Sequence, residues 1–380
     1  MQLHSRESID GTLRPQLALT FKNGQRRYIE AAADASLDCS TYTGLGEVNP
    51  LLLKVGTPLA LRFELPDDKG LGEPVAATLI LVREPGQSSA ATMVVTRLVS
   101  PVGKKDAPPA EGIAAKFPMD ARIQDDQDVV FVDGFNDGKP SSRWTTGMRA
   151  PYEVVAQDPL NGFRALDGPA LRVKIPKGGL VGLDFRYRFK QHLGHEPDRV
   201  YLRYYIRFAS DWLNAAQGGK LPGLAGTYGA AGWGGRPWDG QKGWSMRGAY
   251  YFPATAGHPA HGQLMLGSYA YHADSDKQGE NMAWFGSGLS GLVHPNRWTC
   301  IEQYVQLNTP GRRDGEFKVW VDGRLTLRRT GLSYRDLPDI HIEEAWMNFY
   351  HGGMAPAPTD MHAYIDNVVI ARQYIGPMHR

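Results

Sequence analysis

Apolar residues recur in this chain with a period of two over strand-length segments, and that period restricts its fold more than any other feature. In YLRYYIRF, Leu202, Tyr204, Ile206 and Phe208 fall on one face of an extended segment, while Tyr201, Arg203, Tyr205 and Arg207 fall on the other. In DFRYRFK, Phe185, Tyr187 and Phe189 alternate with Asp184, Arg186, Arg188 and Lys190. One side of each suits a core and the other a polar, aromatic surface. Few stretches show a 3.6-residue period, and the 44 Gly and 26 Pro provide the turns that many short strands need. The expected class is therefore all-β, with antiparallel two-sheet sandwiches.

Two such units are expected. Residues 17–21, 51–55, 59–65, 76–82 and 91–99 are short apolar segments separated by turn-formers such as DDKG and EPGQSS, which suits a small N-terminal β-sandwich over 1–102. SPVGKKDAPPAEG mixes Pro, Gly and charge without periodicity, so 103–127 reads as a linker and 128–380 as the larger sandwich. Within it, EFKVWVDGRLTL places Asp322-Gly323 between two strands, the pattern of a type I′ hairpin.

Charge narrows the partners. Lys+Arg 42 against Asp+Glu 40 leaves a net charge of +2 with no basic block, which argues against nucleic acid or an anionic membrane as partner. No run of 18 apolar residues occurs, and MQLHSRESIDG lacks the apolar core of a signal peptide. Cys39 and Cys300 are the only cysteines, so neither a disulfide framework nor a CxxC metal pattern is present. The 11 His are scattered, HPAH (258–261) lacks further ligands, and neither a GxSxG nor a phosphate-binding loop occurs. No cofactor and no metal are expected, and a monomer is.

The most informative feature is a pair of alternating segments, GWSMRGAYYF (243–252) and QLMLGSYAYH (263–272), flanking the loop-like PATAGHPAHG. If the hairpin is centred on His258, Arg247 lies across from Tyr269 and Ser245 across from Tyr271, all on one face; a slip of one residue separates the two pairs. A guanidinium, a hydroxyl and two phenols then converge. That set suits β-elimination from a uronic-acid polymer. There the C5 carboxylate must be neutralised so that its weakly acidic C5 proton can leave, and a base and an acid must move protons while the 4-O bond breaks. Arg offers a fork for the carboxylate, and a Tyr serves as base where cations depress its pKa.

QGGKLPGLAG (217–226), WSMR (244–247) and YAY (269–271) together resemble polysaccharide lyase family 14 and its relatives, β-jelly-roll enzymes acting on alginate and related polyuronates. The resemblance spans most of 128–380, including the terminal YIDNVVIARQYIGP, and leaves 1–127 outside it. It implies a concanavalin-like antiparallel jelly roll that cleaves a 1,4-linked polyuronate, of alginate or glucuronan type, by β-elimination. It also implies that Lys220, Ser245, Arg247, Tyr269 and Tyr271 line the active cleft, with Lys220 and Arg247 neutralising the carboxylate and a tyrosine exchanging protons. Lys220 comes from the resemblance alone. The stretch between the S-x-R and Y-x-Y motifs, 248–268, is longer than expected for that family, which bears on substrate identity.

Arg203, Arg207, Tyr205 and Trp244 are secondary candidates for contacts with the polymer, although sheet arginines and buried tryptophans are common without any such role. Trp212, Trp233 and Trp238 are first of all packing residues. Glu302, Glu343 and Glu344 raise a glycosidase, which needs two carboxyl groups across the scissile bond, but no E-x-D-x-E cluster supports it. The alternative of another kind is a non-catalytic carbohydrate-binding or adhesion protein that has a jelly-roll cleft. Since polymers of this type occur outside the cytoplasm, a secreted or periplasmic location is expected, with the leader absent from this sequence.

Overall fold

The computed structural model describes residues 112–379 except 147–151, 215–217, 252–263, 276–278, 285–290, 292, 294 and 354, together with strand segments within the first 80 residues. The chain divides into two compact units, Met1–Thr96 and Arg97–Arg380. In the first, Gln16–Phe21 pairs with Arg26–Glu30 and Pro74–Ile80, and Ala33–Asp38 pairs with Thr43–Gly44 and Leu59–Arg62, all antiparallel. The strand expected over 91–99 lies outside the described residues, as does Cys39.

The strands of the second unit are, in chain order, β1 (Val129–Asp133), β2 (Thr145–Thr146), β3 (Tyr152–Val155), β4 (Ala170–Ile175), β5 (Val181–Arg188), β6 (Arg199–Phe208), β7 (Gly219–Gly226) and β8 (Trp244–Tyr251). They continue with β9 (Met265–Tyr271), β10 (Glu280–Ala283), β11 (Trp298–Gln306), β12 (Gly315–Val321), β13 (Arg324–Leu332), β14 (Glu344–His351) and β15 (Met361–Ala371). One antiparallel sheet runs β2-β5-β14-β7-β8-β9-β10, and the other β3-β4-β15-β6-β11-β12-β13 with β1 added along β15. The expected two-sheet jelly roll is the observed one. No helix among the described residues is long and apolar enough to cross a membrane.

The core lies between the sheets and is built by the alternation itself. Leu202, Tyr204, Ile206 and Phe208 of β6 face Leu183, Phe185 and Tyr187 of β5 and Met246 and Tyr250 of β8 in one buried cluster. Removing these side chains from water supplies roughly 1.5–3 kcal/mol each before chain entropy is counted. Between β12 and β13, Asp322 and Gly323 both adopt positive φ, 49° and 76°, which is the type I′ geometry that Asp-Gly favours.

The outer face of the eight-stranded sheet is not the open polar-aromatic surface that its alternation suggests. Short 3-10 turns at Ile113–Lys116, Pro118–Asp120 and Ile123–Asp125 lie against it, with Ile113, Ala114 and Ile123 packed on Val369, Ala371 and Ile375. The stretch 112–126, expected as the end of a linker, is thus an ordered layer of the second unit. Beneath it Arg203 is fully buried and ion-paired with Asp120, and Glu302 accepts the backbone N–H groups of Ile375 and Gly376, each at 2.8 Å. Residues distant in sequence cover this face.

Candidate functional site

The motif GGKLPG folds as it does because of its small residues and its proline. Gly218 adopts φ +74°, a left-handed conformation that L side chains rarely take. A Cβ on Gly219 would lie 2.0 Å from the Tyr350 carbonyl oxygen, and one on Gly223 would lie 2.3 Å from that of Met246, so both strand neighbours approach too closely for any side chain. The register of β7 shifts between Leu221 and Gly223, at Pro222, which has no N–H to give to a ladder. The Pro222 carbonyl accepts a hydrogen bond from Gln303 Nε2 at 2.8 Å. Through this bulge Leu221 and Leu224 both reach the core, and Lys220, opposite Ala249 and Tyr350, stands on the outer face of the seven-stranded sheet.

β8 and β9 pair in the expected register: Ser245 opposite Tyr271 and Arg247 opposite Tyr269. Met246 and Tyr250 of β8 and Leu266 and Ala270 of β9 enter the core, which leaves the Ser/Arg and Tyr/Tyr positions on the face that Lys220 occupies. The connecting residues 252–263, which contain the His- and Pro-bearing insertion, lie outside the described residues.

On this face the Lys220 ammonium lies 4.4 Å from the centre of the Tyr269 ring and 5.9 Å from that of Tyr350, and donates to the Gly352 carbonyl at 3.3 Å. The rings of Tyr269 and Tyr271 meet edge-on, 5.3 Å apart. Arg247, 5 % exposed, donates from Nη1 to Asn348 Oδ1 at 3.1 Å, and its Cζ lies 4.5 Å from the centre of the Trp346 ring. Its Nε is buried with no acceptor. Among the described residues, neither Lys220 nor Arg247 is bonded to a carboxylate. Burial, with the Arg247 charge adding to it, lowers the Lys220 pKa to about 8, and burial lowers that of Arg247 to about 10 against the opposing influence of Tyr271, Tyr269 and the Asp184 carboxylate. Burial raises the Tyr271 phenol, Tyr269 beside it adds to the rise, and the Arg247 charge opposes it. A half-buried ammonium and a buried guanidinium, neither bonded to a carboxylate among the described residues, form a site ready for an anion.

Ser245 shares the face but commits its proton, donating from Oγ to the Gly232 carbonyl at 2.6 Å. It holds the β7–β8 connection in place, and a Cβ on Gly234 of that connection would lie 3.7 Å from the Tyr271 hydroxyl. The structure brings Lys220, Arg247, Tyr269 and Tyr271 together, with Ser245 at their border.

The secondary candidates are elsewhere. Arg203, Tyr205 and Arg207 are buried on the outer face of the other sheet: Tyr205 Oη accepts the Met378 N–H at 2.7 Å, and Arg207 donates to the carbonyls of Asn296 and Gly162. Trp244 is in the core, donating to the His341 carbonyl at 3.2 Å and meeting Tyr334 edge-on. The carboxylates are dispersed as well. Glu302 lies under the C-terminal segment, Glu343 accepts the Thr227 and Tyr228 N–H groups, and Glu344 pairs with Arg186 at 3.3 Å. No cluster of three or more His, Cys, Asp or Glu suited to a metal occurs among the described residues.

Sequence reasoning missed Trp346, Asn348 and Tyr350. Their signal is the alternation of EAWMNFYH, whose Ala345, Met347 and Phe349 are core residues. What could not be read was that β14, about 120 residues downstream in the chain, lies beside β7.

Fold and site thus define a jelly-roll protein whose outer sheet face carries, beside two phenols, two cations bonded to no carboxylate among the described residues. Residues 165–368 match the model of the family Polysaccharide lyase 14, and the chain belongs to that family. It is a polysaccharide lyase. Among solved structures, an alginate lyase of this family from Aplysia kurodai is similar at 22% identity and TM-score 0.44, covering 58% of this chain and 86% of that one. An alginate lyase from Chlorella virus is similar at 17% identity and TM-score 0.43, covering 58% and 91%. An endo-beta-1,4-glucuronan lyase from Trichoderma reesei is similar at 13% identity and TM-score 0.42, covering 64% and 95%. No curated protein matches the chain.

Proposed function

We propose that this lyase cleaves a 1,4-linked polyuronate of alginate or glucuronan type by β-elimination on the outer face of the seven-stranded sheet. The observation that carries this reading is a pair of cations, the half-buried Lys220 and the buried Arg247, bonded to no carboxylate among the described residues and lying beside two phenols. A uronate carboxylate arriving there can pair directly with both, and the two cations stabilise the negative charge that builds on it as the C5 proton leaves. The base and the acid are the phenols. Burial keeps the proton on Tyr271, which suits it to protonate the departing 4-O oxygen, and Tyr269, under the Lys220 ammonium, takes the C5 proton. The products are a shortened chain and one that carries an unsaturated uronate at its new non-reducing end.

The test is a panel of anionic polysaccharides incubated with purified protein and followed in the ultraviolet, where the conjugated unsaturated uronate absorbs. Rising absorbance with at least one polyuronate is expected. Binding of a polyuronate without any such product would instead favour a carbohydrate-binding protein.

A further inference from the structure

Of the buried guanidinium groups elsewhere in this protein, Arg203 pairs with Asp120 and Arg335 with Asp198, while Arg207 donates to backbone carbonyls; the half-buried Arg186 pairs with Glu344. Arg247 differs. Its hydrogen-bond partner is the neutral amide oxygen of Asn348, and the amide is oriented by the opposite edge, where Nδ2 donates to the Leu183 carbonyl at 3.4 Å. Directly across from Asn348 on β5 stands Asp184, the carboxylate best placed to neutralise this row. Asp184 is instead bonded to its neighbours, accepting Trp346 Nε1 at 2.6 Å and lying 3.5 Å from Arg186 Nε, and it acts on Arg247 through its charge.

Trp346 connects these groups. Arg247, Gly223, Trp346 and Arg186 follow one another across four strands. Because Gly223 has no side chain, the indole and the Arg247 guanidinium approach over it to 4.5 Å, and Arg186 lies 4.8 Å from the ring centre. An aromatic surface attracts a cation without neutralising it.

We propose that Asn348 and Trp346 are positioning residues that fix the Arg247 guanidinium without bonding a carboxylate to it, so that the substrate carboxylate is the first to pair with it directly. This inference rests on the lyase reading above. A carboxylate at position 348 would hold the guanidinium equally well and occupy its charge.

The experiment compares Asn348→Asp, Asn348→Ala and Trp346→Phe in the full-length protein. Its readouts are kcat and KM on a polyuronate that the wild type cleaves, oligouronate binding by calorimetry, and melting temperature. N348D is expected to melt no lower than wild type and to lose about 100-fold in kcat/KM, the scale of losing one charge-stabilising donor. Part of that loss should return at acidic pH, where the new carboxyl is protonated. N348A, lacking the competing anion, is expected to melt lower and yet retain more activity than N348D. W346F is expected to retain the fold and to raise KM more than it lowers kcat. An N348D enzyme within threefold of wild type, or one no less active than N348A, overturns the inference. If wild type binds oligouronate without cleaving it, binding across the same variants decides; if it does neither, the lyase reading falls and this inference with it.

Discussion

The Lys220 ammonium rests 4.4 Å from the centre of the Tyr269 ring, although β8 separates their strands. The contact is possible because Lys220 lies opposite Ala249, and Ala249 opposite Gly267, so no bulky side chain intervenes and the lysine stem crosses to the next row. A cation over a ring face is attracted by about 0.5–2 kcal/mol, enough to orient the side chain but far less than the cost of its desolvation. The ring contact therefore does not by itself offset the burial of the ammonium.

Replacing Lys220 by Met should accordingly separate stability from activity. The substitution removes a desolvated charge that has no carboxylate partner, so the melting temperature should stay level or rise. Turnover of a polyuronate should fall about 100- to 1000-fold, the cost of losing one group aimed at developing negative charge. Ultraviolet product formation and a thermal melt on the same preparation check both. A variant that melts far lower while its residual folded fraction works normally would count against the role of Lys220.

The depressed Lys220 pKa has consequences with definite signs. Its value of about 8 lies below the ordinary 10.5, so the free enzyme loses this cation as pH rises through about 8, and kcat/KM should decline there. Stability should move the other way. Between about pH 8 and 10.5 the unfolded chain holds this proton and the folded chain does not, so the contribution of Lys220 to stability rises across that window. Denaturant unfolding of wild type and K220M at pH 7 and at pH 9.5 measures it. The advantage of K220M should shrink at the higher pH, and a constant difference would exclude the linkage.

Tyr269→Phe and Tyr271→Phe each remove one hydroxyl and keep the ring. If the phenols move protons, each change should lower kcat by about 100- to 10,000-fold with KM changed only slightly. Calorimetric binding of an oligouronate to the inactive variants distinguishes lost chemistry from lost affinity. Small, equal effects from both substitutions would point to a binding face without catalysis.

The period-two pattern made the sheets and the β8–β9 pairing legible, because parity alone decides which side chains share a face. Asp322-Gly323 was legible for a similar local reason, since its turn requires two positive φ angles. Lys220 was legible only through family resemblance: nothing in the spacing of GGKLPG announces that β7 adds to β8 with a bulge at Pro222. Arg203, Tyr205 and Arg207 show the opposite difficulty. Their alternation does place them on an outer face, but what covers that face comes from 112–126 and from the C-terminal segment, contacts that no local pattern encodes.

Gly223 ties the motif to the site. A methyl group there would fall 2.3 Å from the Met246 carbonyl oxygen and 2.5 Å from the Arg247 Cα, backbone atoms that cannot turn aside. Gly223→Ala should therefore push β8 from β7, destabilise the unit by about 1–3 kcal/mol, and lower activity beyond the loss of folded protein by displacing Arg247. Urea unfolding combined with activity per folded molecule checks the pair of effects. If G223A were as stable and as active as wild type, the close approach of the two strands would not be required.

Arg203 supplies the contrasting case, an arginine in a similar alternating strand whose loss should leave the chemistry intact. Its guanidinium is fully buried, pairs with Asp120 and also donates to the Gly376 carbonyl at 3.1 Å, so it fastens both the 3-10 turns and the C-terminal segment to the outer face of the eight-stranded sheet. Arg203→Met leaves Asp120 without its partner and should destabilise the unit by about 3–5 kcal/mol, whereas exposed ion pairs contribute at most about 1 kcal/mol. Lys220 and Arg247 stand on the outer face of the opposite sheet, so kcat and KM per folded molecule should match wild type at temperatures below the melt. A change in KM toward a polyuronate, without a matching change in stability, would place Arg203 in the substrate path after all.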